Sequence, residues 1–156
     1  MYICKVKLEE ALKSSKFKNP VQRAGLNVLY TAWWLKTMSS KGLKNFDLTH
    51  EQYNVLRILK GKHPEKMCVK DIASRMIEKN SNVPRIIDRL ESKSLIERGQ
   101  GEVDGRQTVM ALTKTGVTVL ENATEALNLI WENVISISED DANNLNSLLE
   151  KLRIKE

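Results

Sequence analysis

The side chains best equipped for chemistry cluster at one point of the chain, where Ser81, Asn82, Pro84, Arg85 and Arg89 follow one another closely. A guanidinium donates paired hydrogen bonds to a guanine edge or a phosphate, and serine and asparagine can reach either. Val83, Ile86, Ile87 and Leu90 are interleaved at helical spacing, so a helix here would bury one stripe and present Arg85, Asp88 and Arg89 on or beside the other face. Asp88 is expected to orient a neighbouring arginine rather than face a polyanion. Lys66, Lys70, Arg75, Lys79 and Arg98 surround this segment and are candidates for phosphate contact. The bland reading of all these residues is a solvated helix face. Catalytic chemistry has no such focus. His50 and His63 are not spaced with cysteines or acids as zinc ligands. Nucleophile motifs, a phosphate loop and a dinucleotide fingerprint are all missing from the sequence. No catalytic residue, metal or cofactor is therefore expected, and the chain is not expected to be an enzyme.

The elements that would position these side chains follow from periodicity. Val69, Ile72, Ala73, Met76 and Ile77 mark one face of a short helix, with a turn at Glu78-Lys79-Asn80. Ser81 is the expected N-cap of the next helix, and Pro84 falls in its first turn, where a missing N–H costs nothing. Two short amphipathic helices joined in this way form a helix-turn-helix. Leu95-Ile96-Glu97-Arg98 then reads as a strand, residues 99–106 as a polar, glycine-rich turn, and residues 107–112 as the returning strand. A helix-turn-helix followed at once by a hairpin is a winged helix.

Upstream, residues 5–17 read as a short basic helix and residues 21–40 as a longer one ended by Ser39-Ser40-Lys41-Gly42. Thr49 and Gln52 fit a capping box at the start of a helix reaching about Lys60. Downstream, Thr113 or Thr115 caps a helix carrying Leu120, Leu127 and Val134. Ser138 caps a last helix carrying Leu145, Leu148, Leu149 and Leu152. Such apolar stripes need a partner surface, within the chain or on a second copy. The fold class expected is mainly α (α+β): a winged helix-turn-helix with a two-stranded wing, flanked by N- and C-terminal dimerisation helices. The domain plan is a single chain, 1–156. Its DNA-binding region spans about 45–113, and its helical dimerisation region about 1–42 and 114–156.

Composition agrees with this plan without requiring it. The chain has 156 residues and a formal net charge of +5, enough length for one real core. Residues 1–65 hold twelve Lys and Arg against five Asp and Glu, whereas residues 108–156 hold four against eight. A basic front and an acidic tail attract each other within or between chains. No apolar run approaches the roughly 20 residues of a membrane span, and the N-terminus does not read as a secretory signal. The expected location is the cytoplasm. Cys4 and Cys68 are too few for a disulfide framework. They read either as ordinary thiols or, with lysines nearby, as redox-sensing candidates.

In order and motif the chain resembles the MarR family of bacterial transcriptional regulators. The resemblance rests on Leu48-Thr49-His50-Glu51-Gln52, Val69-Lys70-Asp71-Ile72-Ala73, the stretch from Val83 to Glu91, Leu95-Ile96-Glu97-Arg98 and Asp104-Gly105-Arg106. Two departures stand out: Ser94 replaces the usual glycine after the recognition helix, and Gly105 the first of two frequent wing arginines. The resemblance implies a homodimer on double-stranded DNA, usually a repressor, reading a pseudo-palindromic operator and released by a small ligand or an oxidant. Ser81, Asn82, Pro84, Arg85 and Arg89 would serve the major groove, and the wing residues Asp104, Arg106 and Gln107 the minor groove. Tyr30, Trp33, Trp34 and Tyr53 would help line a pocket for a small aromatic ligand, the alternative being core or dimer filler. The competing functional reading is a winged-helix protein-interaction module that does not read DNA.

Overall fold

The computed structural model describes residues 6–101 and 107–153, and within them seven helices and a three-stranded antiparallel sheet. In chain order these are α1 (Leu8–Leu12), α2 (Pro20–Lys44), α3 (His50–Lys60), β1 (Met67–Cys68), α4 (Val69–Arg75), α5 (Val83–Ser92), β2 (Ile96–Gln100), β3 (Thr108–Leu112), α6 (Lys114–Val134) and α7 (Glu139–Leu152). The basic helix expected over 5–17 is confined to α1, because Lys13 turns left-handed at φ 49° and closes it.

Each main helix starts where a side chain replaces the missing intrahelical acceptor of its first amides. Asn19 caps α2, and Thr113 caps α6 by accepting from Gly116 N at 2.9 Å. Ser138 caps α7. The capping box of α3 is complete: Thr49 Oγ1 accepts from Gln52 N at 3.2 Å, and Thr49 N donates to Gln52 Oε1 at 3.0 Å. Helix α2 does not stop at residues 39–42 as expected but runs to Lys44. Ser39 donates to the Leu35 carbonyl at 2.9 Å, which keeps its hydroxyl inside the helix. Gly42 is buried where a Cβ would come within 2.5 Å of Ile130 Cδ1, so the glycine serves the approach of α6 to α2 rather than a stop.

One core gathers the middle of the chain. Leu43 of α2, Val55, Leu56 and Leu59 of α3, Ile72 of α4, Ile87 and Leu90 of α5, Ile96 and Met110 of the sheet, and Leu120 of α6 are all but inaccessible. Burying each large apolar side chain contributes about 1.5–3 kcal/mol. That is ample to hold elements as short as α4 and β1. The sheet order is β1-β3-β2. The hairpin pairs Ile96 with Leu112 through Gln100 with Thr108, so β2 runs two residues beyond the strand expected. Met67 and Cys68 add a third strand on the other edge of β3, opposite Met110 and Val109. The two-stranded wing expected is present as β2 and β3, and β1 extends its sheet to three strands.

The end of α5 explains how the chain passes from helix to wing. Leu95 N donates to the Leu90 carbonyl at 3.0 Å and Ser94 N to the Glu91 carbonyl at 2.8 Å, the paired bonds of a Schellman closure. Ser94 sits at φ 57°, in the left-handed region that favours glycine. Ser94→Gly is therefore expected to stabilise the protein by about 0.5–1 kcal/mol. Urea melts would show a raised midpoint at unchanged slope; an equal or lower midpoint would refute the strain.

Candidate nucleic-acid interface

Helix α5 owes its orientation to its apolar stripe. Val83, Ile87 and Leu90 are buried and Ile86 half-buried, leaving Pro84, Arg85, Asp88 and Arg89 exposed. Pro84 occupies the second helical position. The N-cap is Asn82, whose Oδ1 accepts from Arg85 N at 3.2 Å, and not Ser81. Ser81 lies one residue too early. Its own carbonyl takes the Val83 N–H at 2.9 Å, and its hydroxyl oxygen is buried without a hydrogen-bond partner. Asn82 thus spends its oxygen on the helix and keeps only its amide hydrogens for a ligand.

Arg85 and Arg89 form no ion pair among the described residues. Lys66, Lys70 and Arg75 are exposed on the approach to α4 and along it. Lys79 is exposed in the turn, where its Nζ donates to the Ser74 carbonyl at 2.7 Å. Arg98 is differently placed. On β2 it is engaged by Asp88 through Nη2 and by Glu91 through Nε at 3.2 Å, so its charge is already paired with two carboxylates. Asp88 does orient an arginine, but across ten residues of sequence. Gln107 is exposed and its carbonyl accepts from Gly101 N at 2.8 Å, closing the base of the hairpin. Asp104, Arg106 and Cys4 lie outside the described residues.

Ile77 departs most from the sequence reading. The apolar period predicts it buried, yet α4 ends at Arg75, Met76 is extended at ψ 138°, and Ile77 is 83% exposed. Its N–H is held by Asn54 Oδ1 of α3 at 3.0 Å. Met76, at 2% exposure, ends the stripe.

The four aromatics lie on two helices, Tyr30, Trp33 and Trp34 on α2 and Tyr53 on α3. Tyr30 and Trp33 lie 5.5 Å apart between ring centroids along α2, with Trp33 exposed and Trp34 half-buried. Tyr53 instead faces α6, its hydroxyl 3.0 Å from Thr124 Oγ1. A cleft of about 650 Å³ opens among Lys36, Lys44, His50, Glu51, Arg89 and Lys93. A second, of about 350 Å³, runs along Glu51, Glu78, Asn80–Asn82 and Arg85. Neither includes any of the four aromatics. Cys68 is buried on β1, away from the accessible setting in which a sensing thiol reacts. No group of three or more metal-binding side chains occurs among the described residues, and no helix there is long and apolar enough to cross a membrane.

One cluster had no sequence signal at all. Lys36 Nζ of α2 reaches Glu78 Oε1 at 2.5 Å and Glu51 Oε1 at 3.3 Å, while His50 Nε2 donates to the Lys36 carbonyl at 2.9 Å. It ties the long helix to the start of α3 and to the turn before α5. The Glu78 hydrogen bond holds the Lys36 ammonium above its ordinary range. Burial pushes the Glu51 carboxyl up, but its own backbone amide, Thr49 and Lys36 outweigh this and hold it below the usual value. A carboxyl lowered by folding stabilises fully above its unfolded value and loses that contribution as the pH falls through the lowered one. Glu51→Gln should accordingly flatten the acid limb of a stability-versus-pH curve; an unchanged limb would remove Glu51 from the acid response.

A two-helix unit with a capped, arginine-bearing second helix and a β-hairpin at its end defines a winged helix-turn-helix, here set between long helices. The sequence model of the MarR family matches residues 48–108. The regulator MgrA of Staphylococcus aureus is 31% identical over 114 residues, 73% of this chain and 76% of that protein. This chain belongs to the MarR family of winged-helix transcription regulators. Among solved structures, the MarR transcription factor from Planctomyces limnophilus superposes with a TM-score of 0.67 at 29% identity, covering 86% of this chain and 98% of that one. The S. aureus MepR–DNA complex superposes at 0.73 and 24% identity, covering 82% and 94%, and shows the same fold.

Proposed function

We propose that this protein is a dimeric, sequence-specific DNA-binding repressor. The observation that carries the reading is the exposed face of α5. Arg85 and Arg89 stand there without ion pairs among the described residues, opposite a stripe locked into the core. An arginine in the first turn of such a helix is where recognition helices touch base edges. MepR, of the same fold, is seen bound to DNA.

Support for the dimer comes from what the chain leaves uncovered. Leu29 and Trp33 of α2, Leu129 of α6, and Leu145, Leu148 and Leu152 of α7 are exposed, and α7 buries none of its residues. A second copy would cover these stripes, with the basic first third of each chain near the acidic last third of the other. Two-fold symmetry then requires a pseudo-palindromic operator with half-sites about 10 base pairs apart, or a multiple of that. The wing residues Asp104 and Arg106 would serve the minor groove. Release by a small aromatic ligand or an oxidant would act by changing the spacing of the two α5 helices, and needs unequal binding to two states.

Selection from random duplex DNA, followed by salt titration of the winner, tests the reading. An inverted repeat with a steep salt dependence is expected, because each phosphate contact releases a counterion. Sequence-blind retention, or none while a protein partner is held, would favour the interaction module instead.

A further inference from the structure

We infer that Arg98 is a charge-compensating residue of the DNA-binding surface: it neutralises Asp88 and Glu91, two carboxylates carried by the recognition helix itself, and is not a phosphate contact. The inference rests on the DNA-binding reading above and goes beyond it. Asp88 stands three residues after Arg85 and one before Arg89, on the exposed side of α5. A bare carboxylate there would face a phosphate backbone well within one screening length, about 8–10 Å at ordinary salt. Glu91, one turn further on, adds a second.

The geometry supplies the remedy from the wing. Arg98 projects from β2 and divides its guanidinium between the two acids, Nη2 to Asp88 Oδ1 and Nε to Glu91 Oε2 at 3.2 Å. A planar fork with separate donors suits two carboxylates one helical turn apart. The side chains are 38%, 64% and 40% exposed for Arg98, Asp88 and Glu91. Pairs as wet as these add little to folding stability. Their value lies in the bound state, where DNA displaces the water that screens the acids. Two of the five guanidinium N–H donors go to the carboxylates, and the charge they neutralise is no longer available to attract a phosphate.

The test uses the full-length protein and its selected operator, with thermal melts as the fold control. Arg98→Met is expected to weaken operator binding at least tenfold with little change in melting temperature. The triple variant Asp88→Asn, Glu91→Gln, Arg98→Met, lacking the cation and both acids, is expected to recover affinity to within about threefold of the wild type. A triple variant as weak as Arg98→Met would make Arg98 a phosphate contact and overturn the inference; so would an Arg98→Met protein that binds normally. Elution from heparin, a polyanion without bases, is the second measurement. Arg98→Met should leave at lower salt than wild type, and the triple variant should return toward it. Failure of the wild type to select any operator would count against sequence-specific reading alone, because the heparin order of the three proteins still decides the compensation.

Discussion

Alanine at Gly116 is expected to destabilise the protein by about 2–3 kcal/mol, the largest single-residue effect outside the apolar core. A Cβ on Gly116 would stand 1.9 Å from the Leu95 carbonyl oxygen and 2.9 Å from its carbon. Both are backbone atoms, so no rotamer change relieves the contact. The Leu95 carbonyl also accepts from Thr113 N at 3.2 Å, and the Leu95 amide closes the Schellman turn of α5. The clash therefore falls on the junction at which α5, the wing and the start of α6 meet. Better helix propensity returns up to about 1 kcal/mol and cannot offset a displaced backbone. Gly25→Ala, whose Cβ meets nothing within 4 Å in the chain, is the natural comparison. Urea denaturation of both variants, giving a large loss for Gly116→Ala alone, would establish the close approach. Equal stabilities would show that α6 does not rest on Leu95.

Arg85→Ala is expected to cost about 1–3 kcal/mol of operator affinity, roughly 5- to 150-fold, and to relax discrimination at one base pair of each half-site. Arg85 is the third residue of α5. Its amide is tied to Asn82 while its side chain is exposed and unpaired among the described residues. Lys70→Ala, on α4, should instead weaken all sequences alike and lessen the salt slope by about one. Binding of both variants to the selected operator and its single-base substitutions separates the two behaviours. An Arg85→Ala protein that ranked those operators as the wild type does would remove Arg85 from base reading.

The sequence discloses what neighbouring residues decide among themselves. Thr49 with Gln52, Thr113 and Ser138 are caps because each needs a partner only three residues away. The helix-turn-helix and hairpin were legible for the same reason. Errors arose where a distant surface decided. Met67 and Cys68 form a strand only because the edge of β3 is free to accept them, and two residues carry no period of their own. Ile77 continues the apolar spacing of α4 in sequence, but the helix ends before it, so the spacing no longer describes a face. Ser81 and Asn82 are equally good caps by type; the backbone at Asn82 chooses between them. Of the site, the cations were legible, and so was the role of Asp88 in holding an arginine, but not which arginine it holds. Arg98 among two carboxylates, and Lys36 among Glu51 and Glu78, join residues that lie far apart in sequence.

Helix α7 has a thermodynamic consequence. A 14-residue segment that buries none of its own side chains within the chain is near the lower limit at which a helix persists in water. If its leucines are covered by a second copy, ordering the segment and associating are one equilibrium, governed by mass action. Helical signal from residues 139–152 should then rise with protein concentration, and so should the melting temperature. Below the dissociation constant, a newly made chain would hold a finished winged helix and an unfinished tail. The cell would in that case set the amount of working regulator twice, through synthesis and again through the square of what it has synthesised.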